Sequence, residues 1–224
     1  ALPAPDDGDI FLDYEGHPFW KADIGLFFLF GFIERNEAGG WGFKAFWAHD
    51  QTAEATATQD LVDYLAERRR RFPNMHVYHY NHTERSSLVR LATDYGVAER
   101  QLERHIDTGL FVDLFPIVTG AVQVGVESYG LKHIEQLTDY KRSHDIDQGA
   151  GAVVEYEHWM KDCDQTRLDR IARYNEDDVR ATMAVRDWLV DHRPNDVDWR
   201  DAVLEPQVAD EALDARIEAL HAFG

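Results

Sequence analysis

Short apolar runs broken by polar turns fill the first third of the chain, and longer segments of helical period fill the rest. Residues 9–15, Asp-Ile-Phe-Leu-Asp-Tyr-Glu, read as an apolar strand that ends in carboxylates. Residues 25–35 and 41–49 are two further strand-like runs, joined by Asn36-Glu37-Ala38-Gly39-Gly40, whose asparagine and glycines suit a hairpin turn. The expectation is a three-stranded antiparallel meander. Residues 54–71 then carry Leu61, Tyr64 and Leu65 at helical spacing, and residues 76–80 form a short run rich in β-formers. A helix leading back to a strand implies a crossover and a parallel neighbour.

Beyond Thr83 the pattern predicts helices at residues 84–95, with Leu88 and Leu91 on one side, and at 98–105 after a turn at Gly96. Residues 111–118 are apolar and fit strand or helix. Residues 129–140 have Leu131, Ile134 and Leu137 at helical spacing, and 166–190 read as a long amphipathic helix with a kink near Tyr174. Residues 195–206 are loop-like and 210–223 read as a terminal helix. No internal repeat, low-complexity tract or second core is visible, so the layout is α/β: meander, helix, strand, then helices.

Composition narrows the class. The 224 residues, 44% hydrophobic and 12% aromatic, suit one globular core. The longest apolar stretch, residues 24–33, is half of what a membrane-spanning helix needs, about 20 residues, and no signal peptide is evident. A single cysteine, Cys163, excludes an internal disulfide and a cysteine zinc site, and cytoplasm is the expected compartment. Residues 1–8, rich in Pro and Asp without a leading Met, read as an interdomain linker, so an excised domain is expected. The net charge of −19 opposes nucleic-acid binding by the surface as a whole. Arg68, Arg69, Arg70 and Arg71, followed by Arg85, Arg90, Arg100 and Arg104, make the middle less acidic; a backbone-binding track and a solvated helix face both fit.

The chemistry lies in the carboxylates. Side chains alternate along a strand, so Asp13 and Glu15 leave one face and converge, which is costly unless a cation sits between them. On the long helix Tyr174 and Asp178 are four apart and share a face; Asp178 could ligate metal while Tyr174 positions a water. Glu84 begins a helix after the short strand and is either a third ligand or a first-turn dipole partner. Lys132, opening a helix after Gly130, is a candidate phosphate contact. The regularly spaced His76, His79 and His82 would not share a face in a strand running into a helix, and no phosphate-binding glycine loop or serine nucleophile elbow is present.

Taken in order, these motifs resemble the DEDD 3′-5′ exonucleases of the ribonuclease H-like superfamily, in the tyrosine (DEDDy) subclass. Asp13-x-Glu15 matches the first motif, Glu84 stands where the second places Asp, and Tyr174-x-x-x-Asp178 matches the third, the likeness covering residues 9–190. The Tyr-Asn-Glu-Asp-Asp-Val segment, the His-Tyr-Asn run before Glu84, Val112-Asp113-Leu114 and Ser128-Tyr129-Gly130-Leu131-Lys132 are similar to a branch found with RecB-like nuclease and helicase domains.

The resemblance implies a ribonuclease H-like mixed sheet, an antiparallel meander plus parallel strands, flanked by helices. It divides the chain into a linker at 1–8, an exonuclease domain at 9–192, and a C-terminal loop and helix at 193–224. It also implies two divalent ions, Mg²⁺ or Mn²⁺. Asp13 would bridge both, Glu15 and Asp178 would hold one, Glu84 would serve the other, and Tyr174 would orient the attacking water. The implied substrate is single-stranded nucleic acid, DNA favoured over RNA, with partner domains of a larger helicase-nuclease and no membrane. A catalytically silent nucleic-acid-binding or docking module of such a protein is the alternative. Should Glu84 be only a helix-start carboxylate, Asp113 is the next candidate for the second motif.

Overall fold

In the computed structural model, residues 1–21, 24–125, 127–143 and 149–201 are described. Five strands form one sheet in the order β3-β2-β1-β4-β5. The meander is β1 (Ile10–Lys21), β2 (Ile24–Arg35) and β3 (Trp41–Trp47), antiparallel throughout. Asn36 closes the β2–β3 hairpin as expected, its Oδ1 accepting from the N–H groups of Ala38 and Gly40, with Gly39 at φ +81°. After helix α1 (Gln51–Arg71), strand β4 (Val77–His79) enters parallel to β1, and β5 (Phe111–Asp113) lies parallel to β4. The sheet is therefore mixed, with β1 between an antiparallel and a parallel neighbour.

Alternation along β1 sorts the molecule into layers. Ile10, Leu12 and Tyr14 join Phe30, Phe32 and Val77 against Leu61 and Leu65 of α1 and Leu88 and Leu91 of α2 (Thr83–Tyr95). The opposite face presents Phe11, Ile33, Tyr78 and Val112 to Leu114 and Val118 of α4 (Leu114–Ala121) and to Val179 and Val185 of α7 (Gln165–Asp191). Helix α3 (Glu99–Asp107) adds Leu102 to the first layer.

Several expectations are corrected. The first strand does not stop at Glu15; it shifts register between Glu15 and Gly16 and continues to Lys21, leaving Phe19 exposed. Residues 111–118 split between β5 and α4 (Leu114–Ala121) at Asp113, whose Oδ1 accepts from Phe115 N–H and ends the strand by capping the helix. The helix expected at 129–140 is only α5 (Leu131–Ile134) and a 3₁₀ turn (Glu135–Leu137). Helix α6 (Gly149–Asp162) was not foreseen, and α7 (Gln165–Asp191) is unbroken at Tyr174. The helix expected at 210–223 lies outside the described residues. Among those described, no helix is long and apolar enough to cross a membrane.

The arginine run is also reassigned. Arg68 is buried, pairs with Glu34 at 2.6 Å and donates to Gly8 O, while Arg69 donates to Thr108 and Arg70 pairs with Glu67. At least three of the four guanidinium groups thus serve α1 and its neighbours, and the run forms no free track for a phosphate backbone.

Candidate metal centre

Asp13 is the fourth residue of the central strand β1 and pairs in register with Gly31 of β2. Its side chain and that of Glu15 point to the α7 face, where Asp178 descends from the helix. One carboxylate oxygen from each of these three residues lies within 4.8 Å of the others, the group among the described residues able to hold a metal ion. Glu84 adjoins it: buried at the start of α2, it shares a hydrogen bond with Asp13, while its Oε2 makes none and lies 3.5 Å from His79 Nδ1. The αL backbone of Asn81 (φ 78°) sets the exit of β4 toward this helix, and Asp113 Oδ1 accepts the Asn81 N–H at 2.8 Å. Both of the hydrogen bonds recorded for Asp113 are thus structural: with one Oδ1 it holds that turn and caps α4.

Asn175, fully buried on α7, ties the first-strand pair together. Its Nδ2 donates to Asp13 Oδ2 at 2.8 Å and lies 3.4 Å from Glu15 Oε1. The amide reaches the sheet because residue 31 has no side chain; a Cβ there would come 1.7 Å from Asn175 Oδ1. Tyr174, one turn before Asp178, donates its hydroxyl to that carboxylate, and Lys132 Nζ sits 5.5 Å above the Tyr174 ring. A cleft of about 440 Å³ opens beside these groups, lined by Asp13, Tyr80, Phe115, Lys132, Tyr174 and Asp178. A larger surface hollow, about 580 Å³, lies between Phe46 and α1 and is lined by Asp60, Asp63 and Glu67; with no converging ligand set it is a less suitable place for chemistry.

Sequence spacing thus brings the expected Asp13, Glu15, Glu84, Tyr174 and Asp178 into one neighbourhood, with Lys132 at its edge. It does not foresee Asn175, Gly31, Glu135 or Arg142. Asp177, next to Asp178, is buried and accepts hydrogen bonds from Tyr140 and Ser143. The one available signal was the amide beside Tyr174, since an uncharged polar residue within an acidic run is the natural donor between two carboxylates.

Electrostatics supply the fit test for a cation. Burial, then repulsion from Asp178, Glu15 and Glu84, holds the Asp13 carboxyl well above the usual carboxylate range. Burial and Asp178 do the same to Glu15, and burial raises Asp178 although Arg142 and Lys132 oppose it. Oxygen ligands that repel one another suit a hard divalent cation. Because only the ionised carboxylates bind it, protons compete with the metal, and the raised pKa values extend this competition toward neutrality. Mn²⁺ affinity should therefore rise steadily from about pH 5 to about pH 8, where an ordinary exposed carboxylate, with a pKa near 4, would already be fully ionised. Calorimetric titration checks this; an affinity that is level across that range would mean that other groups bind the ion.

A mixed sheet with carboxylates on its central strand and on the helix crossing it defines a ribonuclease H-like domain. The model of the RNase_H_2 family, within the RNase_H superfamily, matches residues 10–190, and the chain belongs to that family. No curated protein and no solved structure matches it. Members of the superfamily generally hydrolyse phosphodiester bonds of nucleic acids and use divalent metals.

Proposed function

We propose that this chain is a DEDDy-type 3′-5′ exonuclease that trims single-stranded nucleic acid, DNA in preference to RNA, within a larger helicase-nuclease. The observation that carries the reading is the convergence of Asp13 and Glu15 of β1 with Asp178 of α7, with the Tyr174 hydroxyl on Asp178. Asp13, Glu15, Asp178 and Glu84 are the residues that would hold divalent ions, Mg²⁺ or Mn²⁺. When bound, such ions activate water and stabilise charge on the leaving 3′ oxygen. Tyr174, its pKa raised by burial and then by Asp178, stays protonated and acts as a hydrogen-bond donor that positions the nucleophile. Tyr80 and Phe115, in edge-to-face contact at 5.9 Å, offer the cleft an aromatic wall for an unstacked base. A silent docking module is disfavoured, because docking alone gives no reason to keep mutually repelling buried carboxylates.

The test is a gel with 3′-labelled and 5′-labelled single strands, of DNA and of RNA, with and without Mn²⁺. Expected are immediate loss of the 3′ label, a descending ladder from the 5′ label, and no reaction without metal. Cuts scattered within the strand would overturn the exonuclease reading, and no cleavage of either polymer would overturn the hydrolase. In the same assay Tyr174→Phe should bind Mn²⁺ normally and lose about 10²–10⁴-fold in rate, as for a positioned catalytic group; a wild-type rate would remove Tyr174 from the mechanism.

A further inference from the structure

Residues 140–143 lie along α7 beside the metal centre and are fastened to it by consecutive carboxylates. The Tyr140 hydroxyl donates to Asp177 Oδ1, and the Ser143 N–H donates to Asp177 Oδ2 at 2.9 Å. Between these anchors Arg142 reaches inward, its Nη1 donating to Asp178 Oδ1 at 2.6 Å. Glu135 of the 3₁₀ turn grips the same guanidinium on another edge, accepting from Nε at 2.6 Å and from Nη2 at 2.5 Å. A two-pronged carboxylate fixes the plane of an arginine as well as its place.

The arrangement is unusual for a structural ion pair. Glu135 alone balances the arginine, so the further contact with Asp178 places a cation on a carboxylate of the metal-binding group. A guanidinium has five N–H donors, and three are used here. When Asp178 turns to a cation, the grip of Glu135 still holds the arginine beside Asp178, which lines the cleft, with three donors free for an anionic oxygen of the substrate. Lys132 lines the cleft and its charge also acts on Asp178.

We propose that Arg142 is a substrate-binding catalytic residue: held by Glu135, it exchanges Asp178 for a non-bridging oxygen of the scissile phosphate and stabilises the charge that grows there in the transition state. The proposal rests on the phosphodiester-hydrolase reading of the site. Arg142 transfers no proton; it remains a charged donor throughout, which suits an oxygen whose negative charge increases as the bond to the leaving group breaks.

The alternative role is that Arg142 merely orients Asp178 as a ligand, and the two roles differ in sign. Arg142→Ala and Arg142→Lys are compared with wild type by Mn²⁺ calorimetry without nucleic acid, by binding of a short single-stranded oligonucleotide in Ca²⁺ over a range of KCl, and by turnover in Mn²⁺. Removing a competing cation should leave Mn²⁺ affinity of Arg142→Ala equal to or above wild type. Oligonucleotide affinity should fall, the slope of log K against log salt should shrink by about 0.7, the value for one lost contact to a single strand, and kcat should drop about 10²–10³-fold, as when one oxyanion donor is lost. Arg142→Lys should recover the salt slope but only part of kcat. Weaker Mn²⁺ binding with an unchanged salt slope would make Arg142 an orienting residue and overturn the proposal. Wild-type cleavage with an unaltered kcat in Arg142→Ala would overturn it while sparing the hydrolase reading. A salt slope that depends on Arg142 in a wild-type protein that cleaves nothing would keep the phosphate contact and reject the hydrolase.

Discussion

Asp13→Ala should lose hydrolysis by at least about 10⁴-fold while its metal-free form melts at a higher temperature than wild type. The loss is expected because Asp13 stands at the centre of the cluster, within 4.8 Å of ligand oxygens from both Glu15 and Asp178 and in contact with Glu84. No neighbour can replace it: Glu15 and Asp178 flank it, and Asp113 is committed to capping α4. The factor approaches the rate losses typical of deleting a central catalytic group, about 10⁴-fold or more. The gain in stability follows from linkage. A carboxyl whose pKa is raised by folding binds its proton more tightly in the native state than in the unfolded one, so metal-free stability falls as pH climbs from the ordinary carboxylate range through the raised value. At neutral pH the wild-type protein carries that penalty, and Asp13→Ala removes it. Asn175 is not stranded by the change, since its Nδ2 keeps Asp13 O at 3.3 Å and Glu15 Oε1 at 3.4 Å. Each kcal/mol relieved shifts the midpoint by about 2–4 °C in a protein of this size. Calorimetric melting in chelator at about pH 5 and about pH 8, beside the cleavage assay, checks both halves; equal melting temperatures at the higher pH would mean that the cluster is not under electrostatic strain.

Gly31→Ala, a change of one methyl group at a residue with no functional side chain, should both destabilise the fold and weaken metal binding. The added Cβ would fall 1.7 Å from Asn175 Oδ1 and 3.1 Å from a Phe43 ring atom, distances that force the Asn175 amide out of its place against the sheet. Overpacking of this kind costs about 1–3 kcal/mol. The shift also withdraws the amide that aligns Asp13 with Glu15, and loss of such a supporting hydrogen bond typically reduces metal affinity about 10–100-fold. A double-mutant cycle separates the two effects. Adding Asn175→Ala to Gly31→Ala removes the atom that clashes, so stability should partly return, whereas Mn²⁺ affinity should not. Wild-type Mn²⁺ affinity in Gly31→Ala would show that Asn175 plays no part in arranging the ligands.

The acidity of the chain now has a local explanation in part. Four carboxylates gather at the centre, and two buried arginines are spent on the fold: Arg68 on Glu34, and Arg186 on Asp9 at 2.7 Å between the Phe11 and Tyr78 rings. Nucleic acid would meet a predominantly negative surface, and binding would depend on ions at the centre, on Lys132 at the cleft and on Arg142 beside Asp178.

What the sequence determined by itself is what short-range periodicity can encode. Alternation in residues 9–15 placed Asp13 and Glu15 on one face, a four-residue helical step joined Tyr174 to Asp178, and the Asn36 turn with the β1 to β4 crossover implied the mixed sheet. Helix α6 escaped because Gly149, Gly151 and its mixed apolar positions carry little helical signal, and its stability comes from stacking Tyr156 on Phe28 at 3.9 Å. The tertiary structure alone decided which residues support the centre. Asn175 meets Asp13 across 162 positions of sequence only because the β1–β2 register sets Gly31 opposite Asp13 and opens a space beneath the helix. Arg142 meets Asp178 only because residues 140–143 turn back along α7 and Glu135 holds the guanidinium there. Such contacts depend on strand register and on the path of a loop, and neither leaves a periodic trace in the chain.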